Sequence, residues 1–260
     1  MAAIAPERLE ALIRQQLDVF YARRVQALSR LNLKDTLRRK NPYLFRAIGV
    51  QKASEIVEQV LQAFMSSSDE GIFGDAFFEP VAKEVCGGVA AGGAGVDVVI
   101  ETPNEYTVLS VKSGPNWGNS SQMRKLQDDF NTARSVFLNK KLRKHFRALL
   151  GHCYGRKSGE PNAKRSYSVR SGQAFWEEIT GDPDFYLKLI GFMKDHPVQH
   201  RIEFEKAWNQ AVNRFTAEFL KDFATAEGVI DWEKIVAFKS GERRQAKDDS
   251  GTSDGPADAA

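Results

Sequence analysis

The sequence predicts an α/β fold: a small mixed sheet flanked by helices, with helical layers towards both ends of the chain. Three observations predict it. Apolar residues recur at helical spacing over long stretches before residue 86 and after residue 172. Between them, two β-branched runs face each other across a four-residue turn. Two further short strand-like segments follow an intervening helix, which gives the layered pattern of an α/β domain.

Taken in order, Pro6 to about Arg30 places Leu9, Leu12, Ile13, Leu17 and Phe20 on one stripe, predicting a first helix. Asn41-Pro42 interrupts the chain. Ala53 to Met65 reads as a second amphipathic helix, with Ile56, Val57, Val60, Leu61 and Phe64 on its apolar side. A third covers about Phe73 to Val85, and the glycine- and alanine-rich run Gly87 to Gly95 reads as a flexible connector. Val96 to Glu101 and Tyr106 to Lys112 form a hairpin about Thr102-Pro103-Asn104-Glu105. Gly114, Pro115 and Gly118 end the second strand, and Ser120 can cap a helix running to about Phe137. Ala148 to Arg156 is a candidate third strand and Ser166 to Val169 a short fourth. Gln173–Ile179, Pro183–Lys194 and about His200–Thr225 read as helices. The expected organisation is a helical N-terminal layer over 1–70, a core with C-terminal helices over 71–240, and a disordered tail over 241–260.

Composition narrows the class. A chain of 260 residues that is 42% hydrophobic and 27% charged is an ordinary globular protein. No apolar stretch approaches the roughly 20 residues that span a bilayer. Met1 to Glu10 has neither the basic nor the apolar region of a signal peptide, and Cys86 and Cys153 stand alone. A cytoplasmic location without a membrane partner is expected. The net charge of +3 hides an asymmetry. Ser121 to Arg170 carries 13 Lys or Arg against 3 acids, and Arg23 to Lys40 carries seven cations with only Asp35 opposing. Such runs suit a polyanion, because each phosphate neutralised releases counterions; they also suit a solvated helix face.

The hairpin carries the chemistry. Side chains alternate along a strand, so Ser110 and Lys112 share a face. In the simplest register 101 pairs with 106 and 97 with 110, placing Asp97 opposite Ser110 and diagonal to Lys112. Phosphodiester hydrolysis uses such a pair. A carboxylate holds Mg²⁺ with water positions free, and a lysine orients water and offsets negative charge. A plain cross-strand salt bridge has the same two residues.

Context separates the two. Val96-Asp97, followed after a turn by Ser110-Val111-Lys112-Ser113-Gly114, resembles the PD-(D/E)XK signature of restriction endonucleases and related nucleases. Lys112-Ser-Gly-Pro-Asn-Trp-Gly-Asn-Ser-Ser-Gln122 with Asp128-Asp129-Phe130 resembles the type II restriction endonucleases of the PmeII type. Lys40-Asn-Pro-Tyr-Leu-Phe45 and Ser171-Gly-Gln-Ala-Phe-Trp176 belong to the same pattern. The resemblance implies a restriction-endonuclease-like fold, Mg²⁺-dependent cleavage of double-stranded DNA at a specific sequence, products with a 5′ phosphate, and a homodimer cutting both strands.

The chain departs from the pattern at Ser110, where a second acid is expected, so that a metal-binding carboxylate comes from elsewhere or is missing. Restriction enzymes that cut CCGG-type sites are similar: they carry serine here and take the acid from the following helix. On that helix Met123, Leu126, Phe130, Ala133 and Phe137 form the buried stripe. Asp128 points away from it, whereas Asp129 lies on its flank near Gln122. Asp129 is thus the candidate displaced acid. Glu79, in Gly74-Asp-Ala-Phe-Phe-Glu79, matches a further acid by pattern, but a helical wheel turns it away from Phe77, Val81 and Val85.

The candidate catalytic set is Asp97, Lys112, Ser110, Asp129 and Glu79, with Asp97, Asp129 and Glu79 as metal ligands. Candidate DNA contacts are Asn116, Trp117, Gln122 and Lys125, together with Arg156, Lys157, Lys164 and Arg165 in a glycine-containing, mobile basic loop. His196 and His200 are discounted as a zinc pair because Pro197 lies between them. A structure-specific repair or recombination nuclease of the same core, and a DNA-binding protein that lost catalysis at Ser110, are the rival readings.

Overall fold

A computed structural model describes residues 4–91 and 95–241. Ten α-helices and five strands are found among them. In order they are α1 (Pro6–Ser29), α2 (Leu33–Arg38), α3 (Pro42–Ala47), α4 (Ala53–Phe73), α5 (Glu79–Val85), β1 (Val89–Ala90), β2 (Val98–Glu101) and β3 (Glu105–Lys112). There follow α6 (Ser120–Asn139), β4 (His145–His152), β5 (Ser168–Ser171), α7 (Gln173–Thr180), α8 (Phe185–Met193), α9 (His196–Phe223) and α10 (Trp232–Ser240).

The sheet runs β1-β2-β3-β4-β5, with β1, β2 and β3 antiparallel and β3, β4 and β5 parallel. It is the mixed sheet expected. Glu101 faces Tyr106 and Val98 faces Leu109, the hairpin register read from the sequence. Alternation sorts the strands between two cores. Val98, Leu109, Val111 and Leu149 pack with α1, α5, α7 and α8. Tyr106, Val108, Ala148 and Leu150 pack against Leu126, Phe130, Ala133 and Phe137 of α6. A third core is all-helical and joins α2 and α4 to α9 and α10 through Leu33, Ile56, Leu61, Phe215, Phe219 and Ile235.

Several local expectations change. The second and third helices are one nearly continuous rod, because α4 runs into a π-helical turn over Gly74–Phe78 and then into α5. Pro80 has no N–H to give to the preceding turn, and the wider turn accommodates it, with Glu79 N–H donating to the Gly74 carbonyl. Asn41-Pro42 starts a helix rather than only breaking one: Asn41 accepts from Tyr43 N and Leu44 N, and Pro42 occupies the first turn. Asn119, not Ser120, caps α6, in a reciprocal capping box with Gln122. The glycine-rich connector contains β1; its residues 92–94 lie outside the described residues, as does the tail over 242–260. α9 begins at His196, since Pro197 is tolerated in a first turn. β4 and β5 are displaced from the predicted strands, because the pairing partner rather than local composition sets their ends.

Candidate active site

The hairpin and one helix face enclose a cleft of about 630 Å³. Its floor is the end of β3. Asp97 precedes β2, held by Asp97 N–H donating to the Leu109 carbonyl (3.0 Å). Its Oδ2 accepts from Val111 N (2.6 Å) and Ser110 Oγ (3.1 Å), and Lys112 Nζ lies 3.8 Å from the same oxygen. Two protein donors thus fix the carboxylate beside the ammonium, which is more than an exposed salt bridge supplies. Ser110 is buried at 1% exposure, its hydroxyl serving Asp97. Lys112 Nζ also sits 5.6 Å from the centre of the Trp117 ring.

The opposite wall is a stripe of the α4–α5 rod: Ser67, Glu70, Gly71, Gly74, Asp75 and Glu79. These recur at helical spacing on the side away from Phe77 and Val81, which are buried. The wheel therefore placed Glu79 correctly off the apolar stripe, and that off-face is what lines the cleft. Burial raises the Glu79 carboxyl above its usual range, and the charges of Asp97 and Asp75 raise it further against the opposing pull of Lys112 and Lys83. The two walls approach closely at Gly74, where a Cβ would come 2.6 Å from Ser113 Oγ; that hydroxyl donates to the Glu70 carbonyl.

Asp129 occupies the predicted flank of α6, but its carboxylate is engaged by Lys125 Nζ (2.8 and 3.0 Å) and is pressed against Gly95. Like Asp97, it is not among the residues lining the cleft. The three expected metal carboxylates thus fall into Asp97 with Glu79, whose carboxyl feels the Asp97 charge, and Asp129, which lies against Gly95, two residues before Asp97 in the chain. Among the described residues, no three His, Cys, Asp or Glu side chains are grouped to hold a metal ion. Of the remaining candidates, Asn116, Trp117 and Gln122 line the cleft, although the Gln122 carbonyl oxygen also caps α6 by accepting from Asn119 N.

Arg156, Lys157 and Lys164 are exposed. Their loop is pinned rather than free: Gly159 and Val169 exchange backbone hydrogen bonds, and Arg165 donates to the Glu160 and Tyr167 carbonyls. Glu160 in turn accepts from Ser168 and Arg170. His196 and His200 share the first turns of α9 and pair separately with Arg14 and Asp18.

Sequence reasoning missed Glu70, Asp75 and Tyr154, all of which line the cleft. The signal for the first two was the polar and small stripe running from Ser67 to Glu79; Tyr154 had none, since only tertiary packing sets its ring over Gly114.

A family model now decides the class: that of the type II restriction endonuclease EcoO109I matches residues 7–200, most of the chain. This protein belongs to the EcoO109I family of type II restriction endonucleases. No curated protein matches the sequence. Membership agrees with the endonuclease resemblance carried by Asp97, Ser110 and Lys112, and the EcoO109I-family match spans all the elements that build the cleft. No helix among the described residues of this EcoO109I-family chain is long and apolar enough to cross a membrane.

Proposed function

We propose that this chain is a Mg²⁺-dependent endonuclease of PD-(D/E)XK type, close to the PmeII type, that hydrolyses double-stranded DNA at a specific sequence as a cytoplasmic homodimer. The observation that carries this reading is the Asp97 carboxylate, fixed by Val111 N and Ser110 Oγ, beside Lys112, whose side chain lines the cleft.

The residues present fit Mg²⁺. Glu79 is a partly buried carboxyl raised by burial and by the charges of Asp97 and Asp75, a repulsion that a divalent cation relieves. Magnesium is commonly held by one or two carboxylates with water completing its shell. Asp97 and Glu79 would hold it, and Asp129 would join them only after releasing Lys125. The bound ion would supply charge neutralisation at phosphorus and a water of lowered pKa.

The chain's own groups do the rest. Lys112 Nζ donates hydrogen bonds to the attacking water or to a non-bridging phosphate oxygen, offsetting the charge of the transition state. Water oxygen bonds to phosphorus in line with the leaving 3′ oxygen. The P–O3′ bond breaks, the 3′ oxygen takes a proton, and the phosphate stays on the 5′ end. Asn116, Trp117 and Gln122 line the cleft and would contact an entering duplex, and Arg156, Lys157, Lys164 and Arg165 would form a second contact. Lys125 joins these contacts only if it leaves Asp129.

Incubating the protein with plasmid and phage DNA, in Mg²⁺ or EDTA, tests the reading. Discrete Mg²⁺-dependent fragments that disappear with Asp97→Ala and with Lys112→Ala are expected. Attack confined to branches or ends would favour a repair nuclease. DNA that is bound but never cut would favour the non-catalytic reading.

A further inference from the structure

The basic run Arg23 to Lys40 is not uniformly a solvated face. Arg24 is held by Asp69, Lys34 by Asp222, and Arg38 by Asp35. Among the described residues, Arg30, Arg39 and Lys40, like Arg23 earlier in the run, have no carboxylate within ion-pair distance. These three converge at the end of α1 and after α2, lining a pocket of about 270 Å³ with Asn32, Asp35 and Ser67. Ser67 is also a wall of the active-site cleft, so the pocket adjoins the cleft across that residue. The cleft wall itself is acidic, with Glu70, Asp75 and Glu79 on one helical stripe. A duplex phosphate backbone drawn into that cleft is repelled there and needs cations beside it.

We propose that Arg30, Arg39 and Lys40 form a phosphate-binding subsite for the DNA backbone, adjoining the cleft across Ser67 and remote from the bond that is cut. The proposal rests on the nuclease reading above and adds a named electrostatic anchor to it. Ser67 and Glu79 are about twelve residues, or about 18 Å, apart along the α4–α5 rod, which corresponds to about five base-pair steps of duplex. The subsite therefore holds the substrate in register without touching the reacting phosphate. Its substitution weakens binding and leaves the rate on saturating DNA near that of wild type.

The test is fluorescence anisotropy of a 30-base-pair random-sequence duplex in EDTA, between about 50 and 200 mM salt. Each phosphate contact contributes a slope of about −0.9 in log K against log salt. The Arg30→Ala/Arg39→Ala/Lys40→Ala variant is expected to lose between about 2 and 3 of that slope. Lys34→Ala, from the same run but engaged by Asp222, is expected to retain it. Should the triple variant fail to fold by circular dichroism, Arg39→Ala alone is expected to lose about 1. A wild-type protein without salt-dependent duplex binding overturns the nuclease reading and this subsite together. Wild-type binding whose slope survives the substitutions overturns the subsite alone, and so does an equal loss with Lys34→Ala.

Discussion

Glu79 and Asp129 were two acids on two helices, each with a claim to the place left open by Ser110, and the fold treats them differently. Glu79 lies in the cleft wall, partly desolvated, its carboxyl raised by burial and by Asp97. Asp129 lies at the margin, neutralised by Lys125 and stacked against Gly95. A helical wheel ranks faces by distance from the apolar stripe, but it does not say what the remaining faces meet. The face of α5 farthest from the core meets the cleft, whereas the flank of α6 meets its own lysine. A carboxylate held in an unfavourable charged state is the one with free energy to gain from a cation, so the comparison favours Glu79 as the partner of Asp97.

The sharpest break would come from the floor that both acids are meant to serve. Asp97→Ala or Lys112→Ala is expected to reduce plasmid cleavage by about 10³-fold or more while the fold, followed by circular dichroism, persists. Cleavage that survives either change removes the reason for choosing between the acids. Next in size, Glu79→Gln is expected to cost about 10²-fold in single-turnover cleavage and Asp129→Asn only a few-fold. The reverse order would return the displaced acid to α6.

Stability separates the groups as well. His152 is buried, its Nδ1 lying 2.8 Å from Ser171 Oγ, and burial lowers its pKa to about 4, with Lys157 contributing. Ser171 Oγ donates to the Lys157 carbonyl, which leaves its oxygen free to accept from the imidazole Nδ1–H. A lowered histidine pKa contributes stability above its unfolded value near 6.5, which is lost as pH falls towards 4. On the order of 3 kcal/mol is at stake over that window. His152→Gln should flatten the dependence of the urea midpoint between pH 6.5 and 4; an unchanged slope would show that His152 does not carry it.

Glu79 has the opposite sign and the smallest expected effect. Its raised carboxyl favours the protonated form in the folded state, so the contribution is present below about pH 4.5 and is lost as pH rises. Glu79→Gln should therefore raise Tm in EDTA at pH 8, with the gain shrinking towards pH 4.5. A Tm lowered at pH 8 would mean that Glu79 is a structural group rather than a strained one.

How far the sequence could be read follows the range of the forces involved. Hairpin register is set by a short turn and by period-two alternation, both local, so Asp97, Ser110 and Lys112 were placed together before any tertiary contact was known. The buried stripe of α6 was local in the same way, with Leu126, Phe130, Ala133 and Phe137 all buried. The π-helical turn at Gly74–Phe78 was not legible, because it answers both to Pro80 and to aromatic stacking of Phe73 on Phe77. The basic loop read as mobile from its glycines, but its anchors Val169, Ser168 and Arg170 belong to β5.

By itself, then, the sequence determined the α/β class, the hairpin that joins Asp97 to Ser110 and Lys112, and the endonuclease resemblance, since periodicity, turn chemistry and a contiguous motif need only neighbours along the chain. Tertiary structure decided which wall faces Asp97, how Asp129 is neutralised, and which cations of the Arg23–Lys40 run remain unpaired. Those outcomes depend on side chains brought together from distant segments, where partner, burial and charge are properties of the packed molecule.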